Sequence, residues 1–190
     1  IIFMGTPDFA VPILEGLFEN YEVKGVVTQP DKKVGREGKI TEPQVKKCAL
    51  EHMTLVLQPE NIKEQWQDVV SLHPNLIITC AYGQILPREL LVYPEYGCIN
   101  VHASLLPKLR GGAPIHHAIM DGYKETGMTI MYMSPEMDKG DIISQKKIAI
   151  DDDDTAESLH DKLSIIGRDL LLETIPSIVE YKVSSLPRFT

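Results

Sequence analysis

Gly97-Cys98-Ile99-Asn100-Val101-His102-Ala103-Ser104-Leu105-Leu106-Pro107-Lys108-Leu109-Arg110-Gly111-Gly112 opens as a strand and breaks off into a glycine-rich loop. Alternate side chains of a strand share a face. Ile99 and Val101 therefore point into a core, while Asn100 and His102 point the other way, together. An amide that can donate two hydrogen bonds and a side chain that titrates near neutrality end up side by side. Open α/β sheets bind their ligands beyond the carboxyl ends of the strands, which is where this pair falls. The competing reading is a buried His and Asn satisfied by nearby backbone. The shared face, the strand end and the Gly111-Gly112 loop favour a site.

Working outward, Ile1-Ile2-Phe3-Met4 reads as a buried strand. Gly5-Thr6-Pro7-Asp8 then starts a helix to about Glu19, with Thr6 as its cap and Pro7 in its first turn. The strand–glycine–helix order is that of a dinucleotide site, but Gly-x-Gly-x-x-Gly is absent. Asp8 in the first turn would repel a phosphate. The start is Rossmann-like without a nucleotide. Val23 to Gln29 is a second strand, Gln44 to His52 a helix, Leu55 to Leu57 a short strand. Asn61 to Leu72 is a helix with Ile62, Trp66, Val69 and Val70 on its apolar side. Leu76 to Ala81 is continuously apolar, as in a parallel strand covered on both faces. Its turn, Tyr82-Gly83-Gln84-Ile85-Leu86-Pro87, could line a pocket for a flat ring. A helix spans about Ala113 to Met120. Thr126 to Met133 and Ile142 to Ile150, joined by the acidic turn Ser134–Asp141, should pair antiparallel. A last helix carries the stripe Leu159, Leu163, Ile166 and Leu170, continues to about Ile178 and is kinked at Pro176. The pattern predicts an α/β protein: a Rossmann-like, mixed but mostly parallel sheet with helices on both faces.

The 190 residues suffice for one domain with a full core. No apolar run approaches the roughly 20 residues of a membrane span, and no signal peptide is visible, although the chain begins without Met. Cys48, Cys80 and Cys98 are scattered, with neither a metal spacing nor a disulfide framework, so a reducing cytoplasm is the simplest home. His116 and His117 are adjacent and face different directions on a helix, which disfavours a metal site. Asp151 to Asp154 suit a helix start, with a capping box from Asp154 to Glu157, better than a cation. The expectation is no metal.

The net charge of −8 argues against general nucleic-acid affinity. Its distribution is uneven, however. Residues 32 to 47 carry six Lys or Arg and two Glu, a net of +4 that leaves −12 elsewhere. Four of those six cations sit in a long polar loop from Pro30 to Pro43. A basic loop on an acidic domain suits an anionic partner.

Asn and His with a later Asp, and no nucleophile elbow, suit direct acyl transfer between two bound substrates. The segments Asn100-Val101-His102-Ala103-Ser104-Leu105-Leu106-Pro107 with Arg110-Gly111, and Met137-Asp138-Lys139-Gly140, resemble the formyltransferase family that uses 10-formyltetrahydrofolate. Phe3-Met4-Gly5-Thr6-Pro7-Asp8-Phe9-Ala10, Thr28-Gln29-Pro30-Asp31 and Gly35-Arg36 are most similar to the branch that formylates methionyl-tRNA. The resemblance spans nearly the whole chain. It implies the formyltransferase fold, with Asn100, His102 and Asp138 as the catalytic set. It implies that Ser104, Leu105, Leu106 and Pro107 contact the tetrahydrofolate, and that Tyr82, Gly83, Ile85 and Leu86 belong to its pteridine pocket. Arg36, with Lys33 and Lys39, would hold the acceptor end of initiator methionyl-tRNA. It implies a catalytic domain over residues 1–185, with 186–190 beginning a linker to a C-terminal domain absent from the sequence. A monomer with folate and tRNA as partners and no membrane is expected. The alternatives are formyl transfer to phosphoribosylglycinamide or to an amino sugar nucleotide, and a folate-binding module without turnover.

Overall fold

Short apolar runs bounded by glycine and polar turns become the strands of one seven-stranded sheet. The computed structural model describes residues 1–106, 108, 113–135 and 140–185. Strands β1 (Ile2–Gly5), β2 (Gly25–Val27), β5 (Val56–Leu57), β6 (Ile77–Cys80) and β7 (Cys98–His102) are parallel, in the order β5-β2-β1-β6-β7. Strands β8 (Glu125–Tyr132) and β9 (Ile142–Ala149) extend it antiparallel beyond β7. The mixed, mostly parallel sheet is the one the hydrophobic pattern predicts.

Two apolar clusters cover its two faces, because alternate strand residues point to opposite sides. Phe3 and Ile78 join Ile13, Leu14 and Leu17 of α1 (Val11–Asn20) and Leu159, Leu163 and Leu171 of α6 (Ala156–Ser185). Ile2, Met4 and Ile77 join Ile62 and Val69 of α3 (Ile62–Val70) and Leu90 of α4 (Arg88–Val92). Helix α2 (Gln44–Glu51) adds Val45, Cys48 and Ala49 to the first cluster, and α5 (Pro114–Met120) packs on α6. The alternation continues through β7. Ile99 and Val101 enter the first cluster, leaving Asn100 and His102 half-buried on the other side.

Several local expectations are corrected. Residues 8–10 form a 3₁₀ turn before α1, and Thr6 does not cap it. The Thr6 hydroxyl instead donates to the Tyr82 carbonyl at 2.8 Å, which ties the β1 turn to the β6 turn. The polar loop after β2 contains a hairpin, β3 (Lys32–Val34) with β4 (Lys39–Thr41), paired Lys33 to Ile40. Turn geometry from Gly35 and Gly38 made a hairpin where polarity alone suggested none. The capping box before α6 is Thr155 with Ser158, each side chain bonding the other's backbone N–H at 3.1 and 2.9 Å. Asp154 instead accepts from the Ser158 hydroxyl and from Lys162. Pro176 lies inside α6, which runs on to Ser185. Residues 186–190 lie outside the described residues.

Candidate active site

A cavity of about 1000 Å³ opens at the carboxyl ends of β1, β6 and β7. That is the upper end of the usual range for small-molecule sites, and it leaves room for two co-substrates to meet. Asn100 and His102 form part of its wall. They come from β7, whose Asn100 lies in register with Thr79 of β6. The Thr79 hydroxyl donates to Asn100 Oδ1 at 2.8 Å. With its oxygen engaged, the amide presents its N–H groups. Thr79 was missed in the sequence reading. Its signal was a lone hydroxyl inside the apolar run Leu76–Ala81, but strand register alone gives it a partner.

Tyr82, Gly83, Ile85 and Leu86 all line this cavity. Leu91, Met131 and Met133 add to an apolar end that suits a flat ring. The loop is tightly determined. Ala81 holds φ at 51°, and Gly83 holds φ at +99°. A Cβ on Gly83 would also sit 2.6 Å from Gln29 Nε2, so glycine is required there. The Tyr82 hydroxyl is buried and has no hydrogen-bond partner among the described residues, and burial pushes its pKa up to about 12.

Ser104, Leu105 and Leu106 stand outside the cavity wall. Ser104 is wholly buried, and its hydroxyl donates to the Lys108 carbonyl at 3.0 Å. Thr129 Oγ1 donates to the Ser104 carbonyl at 2.6 Å, and Gln145 Nε2 donates to the Leu106 carbonyl at 3.1 Å. These side chains build the turn that follows His102. Pro107 and Asp138 lie outside the described residues. The shoulders of the second segment are described: Ser134 and Pro135 line the cavity. The Tyr132 backbone N–H donates to the Asp141 carbonyl at 2.9 Å.

The opposite end of the cavity is polar. Asp8, Glu157, His160 and Asp161 line it. His160 sits between two carboxylates, Nε2 at 3.4 Å from Asp8 and Nδ1 at 3.0 Å from Asp161. Among the described residues there is no group of three His, Cys, Asp or Glu that could hold a metal ion, and no helix long and apolar enough to cross a membrane. Burial pushes the Cys80 and Cys98 thiols up to about 12. They are core groups, not nucleophiles.

Lys33, Arg36 and Lys39 lie on the hairpin, exposed and outside the cavity wall. The structure therefore separates a concave site from a basic projection.

Residues 1–175 match the formyl transferase family. The chain belongs to that family. It is 59% identical to a methionyl-tRNA formyltransferase of Lysinibacillus sphaericus, over 94% of this chain and 58% of the relative. It is 56% identical to one of Bacillus subtilis, over 97% of this chain and 59% of the relative. The chain thus spans about three fifths of the length of these relatives. Among solved structures, a phosphoribosylglycinamide formyltransferase from Bacillus halodurans superposes with a TM-score of 0.75 at 25% identity, covering 97% of this chain and 94% of the other.

Proposed function

We propose that this protein transfers a formyl group from 10-formyltetrahydrofolate to the amino group of methionine on initiator tRNA, at the start of translation. The observation that carries this reading is the Asn100–His102 pair, its amide oriented by Thr79, in a cavity large enough for donor and acceptor. The apolar end at Ile85, Leu86 and Leu91 suits the flat ring of the folate. The two relatives described above carry the methionyl-tRNA formyltransferase name.

The acceptor amine attacks the formyl carbon, forming a C–N bond, and negative charge grows on the carbonyl oxygen. Asn100 donates an N–H to that oxygen, and His102 donates a second hydrogen bond. Such a preorganised donor is typically worth on the order of 10²–10³ in rate. The adduct then collapses: the bond from carbon to the folate nitrogen breaks, and the amine's proton passes to the departing nitrogen. We assign Asp138 to that proton movement, as a carboxylate partner of His102. Arg36, Lys33 and Lys39 would meet the phosphates of the tRNA acceptor end, and cationic side chains on a projecting hairpin suit that backbone. The folate would act as co-substrate and no metal would take part. The protein would work as a cytoplasmic monomer.

The alternative acceptor is phosphoribosylglycinamide. Asp8 disfavours it, since a carboxylate at the turn after β1 repels a phosphate there. One assay separates the readings: 10-formyltetrahydrofolate is supplied with methionyl-tRNA, phosphoribosylglycinamide or an amino sugar nucleotide. The formyl group is expected on methionyl-tRNA. Formylation of another acceptor, or folate binding with no transfer to any of them, would sink the proposal.

A further inference from the structure

The hairpin and the cavity wall are joined by a line of glutamines that no catalytic argument uses. All six residues of β3 and β4 are exposed, and a two-stranded hairpin of this size has no stability of its own. Its direction is therefore set at its root. Asp31, just before β3, accepts from Lys46 at 3.0 Å and from Gln58 Nε2 at 2.8 Å. Lys46 also meets Glu42, just after β4, at 3.3 Å. Gln58 Nε2 lies 3.2 Å from the Gln29 carbonyl, and the Gln29 side chain accepts from Gln84 Nε2 at 2.9 Å. Gln84 belongs to the cavity loop. Its Nε2 also donates to the Pro59 carbonyl at 3.1 Å, and its Oε1 accepts from the Ile62 N–H at 2.9 Å.

We propose that this line, Asp31–Gln58–Gln29–Gln84, is a spacer that holds the basic hairpin at a set position relative to the formyl-transfer cavity. Gln58 and Gln84 are then positioning residues for the RNA acceptor. The inference rests on the reading of the protein as a tRNA formyltransferase. Three of its four residues are neutral amides, so pH and salt leave most of the line intact, unlike a row of surface ion pairs. Each bond contributes little to global stability. A displacement of about 1 Å at a remote contact can still cost up to about 10²-fold in rate. The line should thus matter more to acceptor use than to folding.

Gln58 is the discriminating position, because it touches the hairpin root but not the cavity wall. Gln58→Leu should raise KM for methionyl-tRNA about tenfold, since misplacement acts on the bound acceptor. The dissociation constant for 10-formyltetrahydrofolate should stay within about twofold, as no cavity contact changes. In a protein already carrying Lys33→Ala, Arg36→Ala and Lys39→Ala, Gln58→Leu should add nothing further, because the hairpin it positions no longer grips RNA. Gln84→Leu serves as the second variant, and should raise the tRNA KM in the same hairpin-dependent way. A tRNA KM that does not move, or a rise that persists in the triple-alanine background, overturns the spacer and leaves the enzyme reading intact. An unsubstituted protein that formylates no tRNA overturns both.

Discussion

The end of β7 and the β3–β4 hairpin would supply the two halves of one reaction on opposite kinds of scaffold. At β7 the pair Asn100 and His102 stands on a strand whose other face is Ile99 and Val101, both packed in the core. A neighbouring hydroxyl orients the amide. At the hairpin every strand residue is exposed, Val34 and Ile40 included, at 55% and 63%. Only its root is tied down, by Asp31, Lys46 and Gln58. Chemistry needs donors held to fractions of an ångström, which suits a strand whose other face is packed in the core. Grip on a long polyanion needs reach and charge, which suit a backbone that projects.

The comparison breaks first at His102. His102→Ala should lower kcat by about 10³-fold or more, combining a lost donor with lost proton transfer. Its Tm should change little, since the side chain is only half-buried. Steady-state formylation and a thermal melt on the same preparation check both. A rate within about tenfold of the unsubstituted protein would remove His102 from the mechanism.

Thr79→Val probes the same end more finely. It keeps the shape of the strand and removes the proton that Asn100 Oδ1 accepts. The freed amide can turn its oxygen toward the reacting carbonyl, where it would repel rather than stabilise the developing charge. We expect kcat to fall about tenfold to 100-fold, with KM for both substrates nearly unchanged. An equal effect on KM would mean that Thr79 shapes the binding wall instead.

At the hairpin the expected signature is different. Arg36→Ala should raise KM for tRNA about fivefold to tenfold and flatten its dependence on salt by about one unit of log–log slope, because each lost phosphate contact releases fewer counterions. Folate binding should not move. Loss of both together would show that the hairpin supports the fold rather than an RNA.

How much of this was legible in the sequence follows the same division. The faces of β7 could be read because alternation is a local rule, and the mixed, mostly parallel sheet could be read from the apolar runs and the turn between the last two strands. Thr79 could not be read, because its role exists only once β6 and β7 are in register. The Thr6 cap failed for the same reason: its hydroxyl found a carbonyl 76 residues away in place of its own helix. Ser104 and Leu106, expected at the folate, are buried in the turn after His102, where Thr129 and Gln145 bond their carbonyls. The hairpin was misread as a loop because its strands have no apolar face, and its pairing depends on Gly35 and Gly38 at positive φ. The polar end of the cavity, His160 between Asp8 and Asp161, joins residues from the two ends of the chain, which no local pattern connects.

The smallest expected effect lies away from both regions, at Asp154 below the start of α6. Lys162 first, then the Asp151 backbone and Ser158, hold its carboxyl down to about 2. A depressed carboxylate contributes stability that is fully present above its unfolded value, near 3.8, and is lost as pH falls toward 2. Asp154→Asn should therefore lower Tm slightly at pH 6, and the gap to the unsubstituted protein should close between pH 4 and pH 2. Lys162 is itself partly exposed, so added salt should narrow the gap at pH 6 as well. Formylation measured at neutral pH should not follow Asp154, because the residue buttresses α6 and stands outside the cavity wall. If activity falls with Tm, the first turns of α6 move with this buttress, and the polar end of the cavity owes its geometry to it. The division between a packed reaction centre and a projecting grip would then need a third member.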